Sequence, residues 1–476
     1  MENNTKNDGL DNALKIFENS AKNVKGYKKF LKANKISPQL IIKKRDIKSI
    51  PIMDKSNYLL AFELSDLVPF SKFPPIFSAS SGSSGKPYYW PRGDKQEARG
   101  ARIHRTILKD IFKINKKSTL AIVCFSMGNW VAGTYTLSSL REISKDKDTN
   151  LSIITPGIDK SDVIQILKNF AGNFDSIILF GYPPFLMDVV LEAKESNVDF
   201  KKLNLNFVFA GENFSERWRD LIFKYAEVPN NLNRSVSIYG TADAGMIGNE
   251  NPFTILIRKL ASKNKKLCLE LLGNNSFVPT VVSYVPTETY FETVNGEIIF
   301  TIDSGIPLIR YNIKDRGTLM SHKEALSIIK KNGLSKYITN DVKKWKTPIL
   351  ILKGRNDVSI TFYGLNIYPE NIKAGLEDSK ISSFVTGKHI ITKDQTKDYT
   401  EQRLKIIVEL KLNVLPSNDL KKIIGDTIFQ KLIELNTEYR KLFNSIKEKA
   451  IPEISILENG NEIFVIKKAK HSWCIK

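Results

Sequence analysis

Residues 120–125 read LAIVCF, six apolar residues between polar flanks, the pattern of a short strand buried on both faces. Four similar runs follow: LSIITP at 151–156, SIILF at 176–180, NFVFAG at 206–211 and SVSIYG at 235–240. The spacing of apolar residues between them predicts helices over 162–170, 186–196 and 216–226. Strands alternating with helices imply an α/β fold built on a mostly parallel sheet.

Working outward, residues 10–66 read as helices, with Leu10, Ala13, Leu14 and Phe17 at helical spacing. A second helix is expected around 27–34, and Ser37-Pro38 marks the start of another turn. Toward the C-terminus, Asn295-Gly296 separates two alternating runs and predicts a hairpin. TPILILKGRNDVSITFYG at 347–364 reads as strands around a Gly-Arg-Asn-Asp turn. The last hundred residues read as strand 405–412, helix 418–444 and strands near 454–457 and 463–466, a small α+β domain. The boundary is expected near 354–357, giving domains 1–354 and 355–476.

The chain of 476 residues carries a formal charge of +21 and is 42% hydrophobic, which excludes wholesale disorder and allows a sizeable core. Only 15 of the 72 basic residues are arginine, so the load is mostly lysine. From Val358 onward the net charge is +4 over 119 residues, against +17 over the preceding 357. An excess spread this evenly is not a nucleic-acid-binding tail. Cys124, Cys268 and Cys474 are far apart and form no CxxC pair, which fits a reduced, cytoplasmic setting. The polar N-terminus does not read as a secretory signal, and no apolar run is long enough to span a membrane. Of four histidines no two have ligand spacing, and His104 and His322 are expected at the surface.

Six segments could carry chemistry. Ser78-Ala79-Ser80-Ser81-Gly82-Ser83-Ser84-Gly85-Lys86-Pro87 reads either as a flexible linker or as a loop whose amides, hydroxyls and one lysine cradle phosphate. It is not a Walker loop, because Ser80 and Pro87 stand where Gly and Ser or Thr would be needed. Ala210-Gly211-Glu212 and Tyr239-Gly240-Thr241-Ala242-Asp243-Ala244-Gly245 each follow an apolar run, where open α/β sheets bind ligands, although ordinary turns sit there too. Tyr239 offers a flat face for a base, and Asp243 a hard oxygen for Mg²⁺. In IRYNIKDRG (309–317), Asp315 could accept from both ribose hydroxyls, while Arg310 and Arg316 could equally be surface pairs. Gly354-Arg355-Asn356-Asp357 could form a hinge. Lys467-Lys468-Ala469-Lys470-His471-Ser472-Trp473 is the sixth, and it reads most simply as a solvated basic tail.

Taken in order, these segments resemble the adenylate-forming superfamily of acyl-CoA synthetases and adenylation domains, in its phenylacetate–CoA ligase-like branch. SSGSSGKP resembles the phosphate loop SSGTTGKP, and AGE resembles GGE. YGTADAG resembles YGxSE or YGxTE, and IRYNIKDRG resembles RYRTxD. GRNDVSITFYGLNIYPENI resembles GRxDDxxxxxGxNxxPxxIE, the most specific match. FLKANKIS with IKSIPIMDKSNYL resembles the N-terminal helix followed by Pro-x-x-x-Lys, here Pro51 to Lys55.

The resemblance implies a large N-terminal domain with a β-barrel-like subdomain and a small mobile C-terminal domain. It implies that ATP activates a carboxylic acid as an acyl-adenylate, which a thiol then attacks. The thiol would be coenzyme A or the phosphopantetheine of an acyl carrier protein; a degenerate, nucleotide-binding member is a further alternative. Ser81, Gly82, Ser83, Ser84, Gly85 and Lys86 would hold phosphates. Gly211, Glu212, Tyr239 and Gly240 would enclose adenine, and Asp315 would take the ribose with Arg355 nearby. Asp243 would replace the glutamate that binds Mg²⁺, Asp357 would be the hinge, and Lys470, or Lys468, would be the catalytic lysine. The acid pocket would involve Phe125, Gly128, Trp130 and Tyr182, whose aromatic rings could equally be packing residues. The cysteines of the metal site in some relatives are missing, so no zinc is expected.

Overall fold

The computed structural model describes residues 2–69, 73–79, 88–115, 117–273, 278–355, 360–363, 365–395, 402–464 and Cys474. Its residues group into two compact units. One comprises Met1–Glu212, Lys224–Ile257 and Thr280–Lys353; the other comprises Asn213–Phe223, Arg258–Pro279 and Gly354–Lys476.

In the first unit the chain opens with helices Glu2–Asn23, Lys25–Ala33 and Pro38–Lys44, the last starting at Ser37-Pro38. Strands β1 (Ile76–Ala79) and β2 (Tyr89–Arg92) form an antiparallel pair on either side of the Ser/Gly segment. The five apolar runs are strands β3 (Ser118–Cys124), β4 (Asn150–Ile154), β5 (Ser176–Gly181), β6 (Leu205–Ala210) and β7 (Ser235–Thr241). They pair in parallel in the order β4-β3-β5-β6-β7. Helices Lys160–Asn169 and Pro183–Glu195 lie between successive strands. Every residue of β5 is buried, as a sheet covered on both faces requires.

Beyond β7 the sheet continues through β8 (Gly245–Asn249), β9 (Thr280–Ser283), β10 (Thr289–Val294), β11 (Glu297–Ile302), β12 (Leu308–Met320) and β13 (Ile349–Arg355), with β7–β8, β8–β9, β9–β13, β10–β11 and β11–β12 paired antiparallel. The strands expected as a barrel-like subdomain thus continue one mixed sheet of eleven, in the order β10-β11-β12-β13-β9-β8-β7-β6-β5-β3-β4. Asn295 and Gly296 have φ of 52° and 77° and close the predicted hairpin, the left-handed pair a two-residue turn needs.

In the second unit, β14 (Ile360–Phe362) pairs with β15 (Leu365–Ile367), and β16 (Val385–Gln395), β17 (Gln402–Leu410) and β18 (Glu453–Leu457) form a three-stranded sheet. β17 and β18 are parallel, so the helices between them make the crossover. The helix expected over 418–444 is two, Asn418–Leu435 and Thr437–Ile446, because the Asn436 side chain caps the second by accepting from Tyr439 N. Of the strand expected at 463–466, residues 463–464 belong to a turn over 462–464, and 465–466 lie outside the described residues.

A polar seam joins the three segments of this unit. Glu216 pairs with Arg219 at 3.0 Å and Arg258 at 3.3 Å, all buried. The two guanidinium groups also lie over the Phe214 ring. Helix Pro369–Leu376 approaches the same segment: Lys373 donates to Asn213 O at 3.2 Å, and Ser215 donates to the Glu377 carboxylate. Desolvation pushes Glu377 up to about 7 and Lys373 down to about 7.

Candidate active site

The carboxyl ends of the parallel strands carry several of the expected site residues. Phe125 follows β3 and Tyr182 follows β5; Cys124 and Gly181 are partners in register, so the two leave the sheet side by side. Gly211 and Glu212 follow β6, and Tyr239 lies one residue beyond the β6–β7 pairing of Ala210 with Ile238. This is the edge at which open α/β sheets receive ligands.

On that edge the Tyr182 hydroxyl donates to the Glu212 carboxylate. Tyr182 is buried and Glu212 half-buried, with Gly211 at φ 95° making the turn between strand and glutamate. Ala79 N donates to Asn129 O at 2.7 Å, and Ala79 and Trp130 form an isolated bridge. The FSMGNW segment therefore lies beside the strand that leads into the Ser/Gly segment. Gly128 has φ 77°, the left-handed conformation that glycine permits. Phe125 is buried and Trp130 half-buried.

The second cluster forms where β7 and β12 face each other. The Tyr239 hydroxyl donates to Asp315 Oδ2 at 2.5 Å, and the Tyr311 hydroxyl donates to Asp243 Oδ2 at 2.6 Å. Burial, and then the Asp243 charge, raise the Tyr311 phenol well above its ordinary value; the same two causes push Tyr88 up to about 12. Both phenols stay protonated and serve as donors near neutral pH. Lys55 sits over the Tyr88 ring at 5.7 Å.

The N-terminal segment reaches this cluster by backbone pairing. Met53 N donates to Arg310 O at 3.1 Å, and Asn312 N donates to Met53 O at 2.8 Å. Asp54 lies 3.5 Å from Lys314, so the Pro51–Lys55 stretch borders Asp315. Arg310 is a clamp rather than a surface pair. It is buried, meets Glu292 at 3.0 Å, and donates to Lys48 O at 2.6 Å and to Ile50 O.

Sequence reasoning missed Arg99. From the helix Asp94–Arg105 it donates to Ala244 O at 2.8 Å, Met246 O at 3.2 Å and Asp303 O at 3.0 Å, fixing the turn that carries Asp243. His104, on the same helix, is wholly buried rather than exposed; its Nδ1 lies 3.0 Å from Gly100 O and burial pushes it down to about 4. His322 is buried as well, against Phe253 at 4.6 Å. Their helices turn these faces inward, which composition alone does not reveal. The signal available was the stripe Gln96, Arg99, Gly100, Ile103, Ile107 at helical spacing.

Ser81, Gly82, Ser83, Ser84, Gly85, Lys86, Asp357, Lys468 and Lys470 lie outside the described residues, and Arg355 is described as backbone at the end of β13. Among the described residues no three His, Cys, Asp or Glu side chains converge on a metal position. Asp243 alone is the kind of ligand Mg²⁺ uses when it also binds nucleotide phosphates and water, so the donor set fits that ion. No helix among the described residues is long and apolar enough to cross a membrane.

No family model matches the sequence, and no curated protein matches it. Solved structures do match. A 2-hydroxyisobutyryl-CoA ligase in the postadenylation state, in complex with R3-HIB-AMP, superposes with a TM-score of 0.69 at 13% identity, over 98% of this chain and 88% of that one. The acyl acid amido synthetase AtGH3.15, in complex with 2,4-DB, superposes with a TM-score of 0.62 at 14% identity, over 99% and 92%. The likeness extends over nearly the whole length, and the chain, with its large mixed sheet and separate small sheet, has the fold of the adenylate-forming enzymes.

Proposed function

We propose that the protein is an AMP-forming ligase that activates a carboxylic acid with ATP and passes the acyl group to a thiol, coenzyme A first among the acceptors. The observation that carries this reading is the pairing of Tyr239 with Asp315 and Tyr311 with Asp243 beside the carboxyl ends of β6 and β7. It gathers a flat ring and two carboxylates, which this reading assigns to the ribose and to a metal ion, from segments about 70 residues apart. The adenylate-forming fold of the neighbours supports the same reading.

In the first half-reaction an oxygen of the substrate carboxylate bonds to the α-phosphorus of ATP. The bond from that phosphorus to the bridging oxygen breaks, and pyrophosphate leaves. Mg²⁺, when bound, would offset phosphate charge, held through Asp243. Ser81, Gly82, Ser83, Ser84, Gly85 and Lys86 would hold the β- and γ-phosphates by backbone N–H groups and one cation. Gly211, Glu212 and Gly240 would flank adenine, Tyr239 would stack on it, and Asp315 would accept from the ribose hydroxyls, with Arg355 nearby. Lys470 would bridge the carboxylate and the α-phosphate. In the second half-reaction the thiol sulfur bonds to the acyl carbon, its proton goes to solvent, and AMP leaves. The segment 355–476 would turn about Asp357 between the two. Phe125, Gly128, Trp130 and Tyr182 would bound the acid. Catalysis of this kind is positioning and charge neutralisation rather than covalent work by the protein.

The test is ATP–pyrophosphate exchange with Mg²⁺ against a panel of carboxylic acids. Exchange that depends on one acid class, followed by thioester formation with coenzyme A, is expected. Absence of exchange with every acid refutes ligase activity. Exchange without coenzyme A thioester moves the acceptor to a carrier protein. Lys470→Ala should abolish exchange while sparing thioester formation from preformed adenylate; full exchange by that variant transfers the role to Lys468.

A further inference from the structure

Two segments of the first unit share a spacing: Tyr239-Gly240-Thr241-Ala242-Asp243, leaving β7, and Tyr311-Asn312-Ile313-Lys314-Asp315, within β12. Each places an aspartate four residues after a tyrosine, and each tyrosine bonds the aspartate of the other segment. The exchange is reciprocal: Tyr239 holds Asp315, and Tyr311 holds Asp243. A bulge makes it possible. Between Asn312 and Arg316, β12 carries two more residues than the facing stretch of β11, and Lys314 takes φ 68°. Lys314 N donates to Asn312 Oδ1 at 2.7 Å within that bulge.

Packing alone does not require the Tyr311 hydroxyl. Its ring is 2% exposed and meets Phe300 edge-on at 5.6 Å, contacts phenylalanine would keep. The hydroxyl is the polar atom the ring brings into the core, and it goes to the one carboxylate assigned to a metal ion. A phenol donating to an ionised carboxylate is a charge-assisted bond that fixes the acceptor's rotamer. Asp243 is one methylene shorter than a glutamate, so its reach depends more on where its carboxylate is held.

We infer that Tyr311 is a positioning residue for Asp243, setting the carboxylate for the cation that accompanies ATP. This rests on the proposed role of Asp243. The other half of the exchange has a different consequence: the Tyr239 hydroxyl occupies one acceptor site of Asp315 Oδ2, and ribose hydroxyls would share the same carboxylate through its remaining lone pairs.

Calorimetric ATP binding, with Mg²⁺ varied and with EDTA, tests the inference without any turnover. Tyr311→Phe should leave metal-free ATP affinity within about twofold and raise the Mg²⁺ concentration for half of the metal-linked gain about tenfold, the scale of one charge-assisted bond. Asp243→Asn should shift the same midpoint at least as far, and the double variant should add nothing, as for two partners in one interaction. Tyr239→Phe should change ATP affinity equally with and without Mg²⁺. A Tyr311→Phe midpoint equal to wild type, with Asp243→Asn shifted, overturns the positioning role and leaves the functional reading standing. ATP binding whose Mg²⁺ midpoint ignores both variants removes Asp243 from the metal and overturns the inference with it. Wild-type protein that binds no ATP overturns the functional reading itself.

Discussion

Replacing Arg310 with methionine tests how the N-terminal segment is held to the site. The Arg310 and Glu292 side chains are 8% and 5% exposed and meet at 3.0 Å. The guanidinium also satisfies the carbonyls of Lys48 and Ile50. Methionine fills much of the same space but leaves a buried carboxylate without its counter-charge. Breaking such a pair from one side costs about 3–5 kcal/mol. At about 2 °C per kcal/mol for a large unit, the melting midpoint should fall by roughly 6–10 °C. Removing both charges, in Arg310→Met with Glu292→Leu, should recover most of that loss, since no ion is then stranded. A residue of about 1–3 kcal/mol should remain for the two carbonyls. Calorimetric melting of the wild type, both single variants and the double variant provides the cycle. A double variant as unstable as Arg310→Met would refute the stranded-charge argument, as would a single-variant shift below about 2 °C.

Three other outcomes follow from buried groups and close contacts. A Cβ on Gly305 would lie 1.7 Å from Pro91 O, so Gly305→Ala should lose about 1–3 kcal/mol in denaturant titration, whereas Gly172→Ala, which meets nothing within 4 Å, should be near neutral. Burial holds His104 down to about 4 against an ordinary value of 6.5, so the unfolded chain takes up its proton first; stability should fall as pH drops from 6.5 toward 4, by up to about 1.4 kcal/mol per pH unit, and His104→Leu should remove that limb of the melting profile. In the second unit Glu377, raised from 4.5 to about 7, contributes stability that is lost as pH rises across that interval. Lys373, lowered from 10.5 to about 7, contributes stability that returns as pH rises from 7. Amide protection in helix Pro369–Leu376, taken relative to the intrinsic exchange rate at each pH, should therefore be lowest near pH 7, with Glu377→Gln flattening the acid limb and Lys373→Met the alkaline one.

The central parallel strands were legible because LAIVCF, SIILF, NFVFAG and SVSIYG are largely buried on both faces and show as unbroken apolar runs, whereas LSIITP, on the edge strand β4, is only half-buried yet carries the same kind of run. The Asn295-Gly296 hairpin was legible because only a few residue pairs tolerate two left-handed φ values in succession. The cross-bonding of Tyr239 with Asp315 was not, since it depends on the order in which distant strands join the sheet. Arg99, Arg310 and His104 were misread or missed for one reason. Polar side chains count as surface in any hydropathy pattern, and here their partners are backbone carbonyls supplied by other segments or by the preceding turn. The break at Asn436 had a readable sign, a capping asparagine followed by threonine, inside what otherwise reads as one long helix.

The polar seam of the second unit also bears on how the chain is made. Asn213 and Lys373, which it joins, are 160 residues apart. At ribosomal rates of about 5–20 residues per second, the earlier segment emerges roughly 8–30 seconds before its later partner exists. An apolar face left bare for that long would recruit other nascent chains. Glu216 and Arg219, three residues apart, can neutralise each other in water meanwhile, and Ser215 and the Asn213 carbonyl can bond to solvent. Closing the seam with ions and a hydroxyl, beside the apolar Phe214, Ile222 and Phe223, thus lessens the apolar surface that waits bare until the C-terminal segment arrives to cover it.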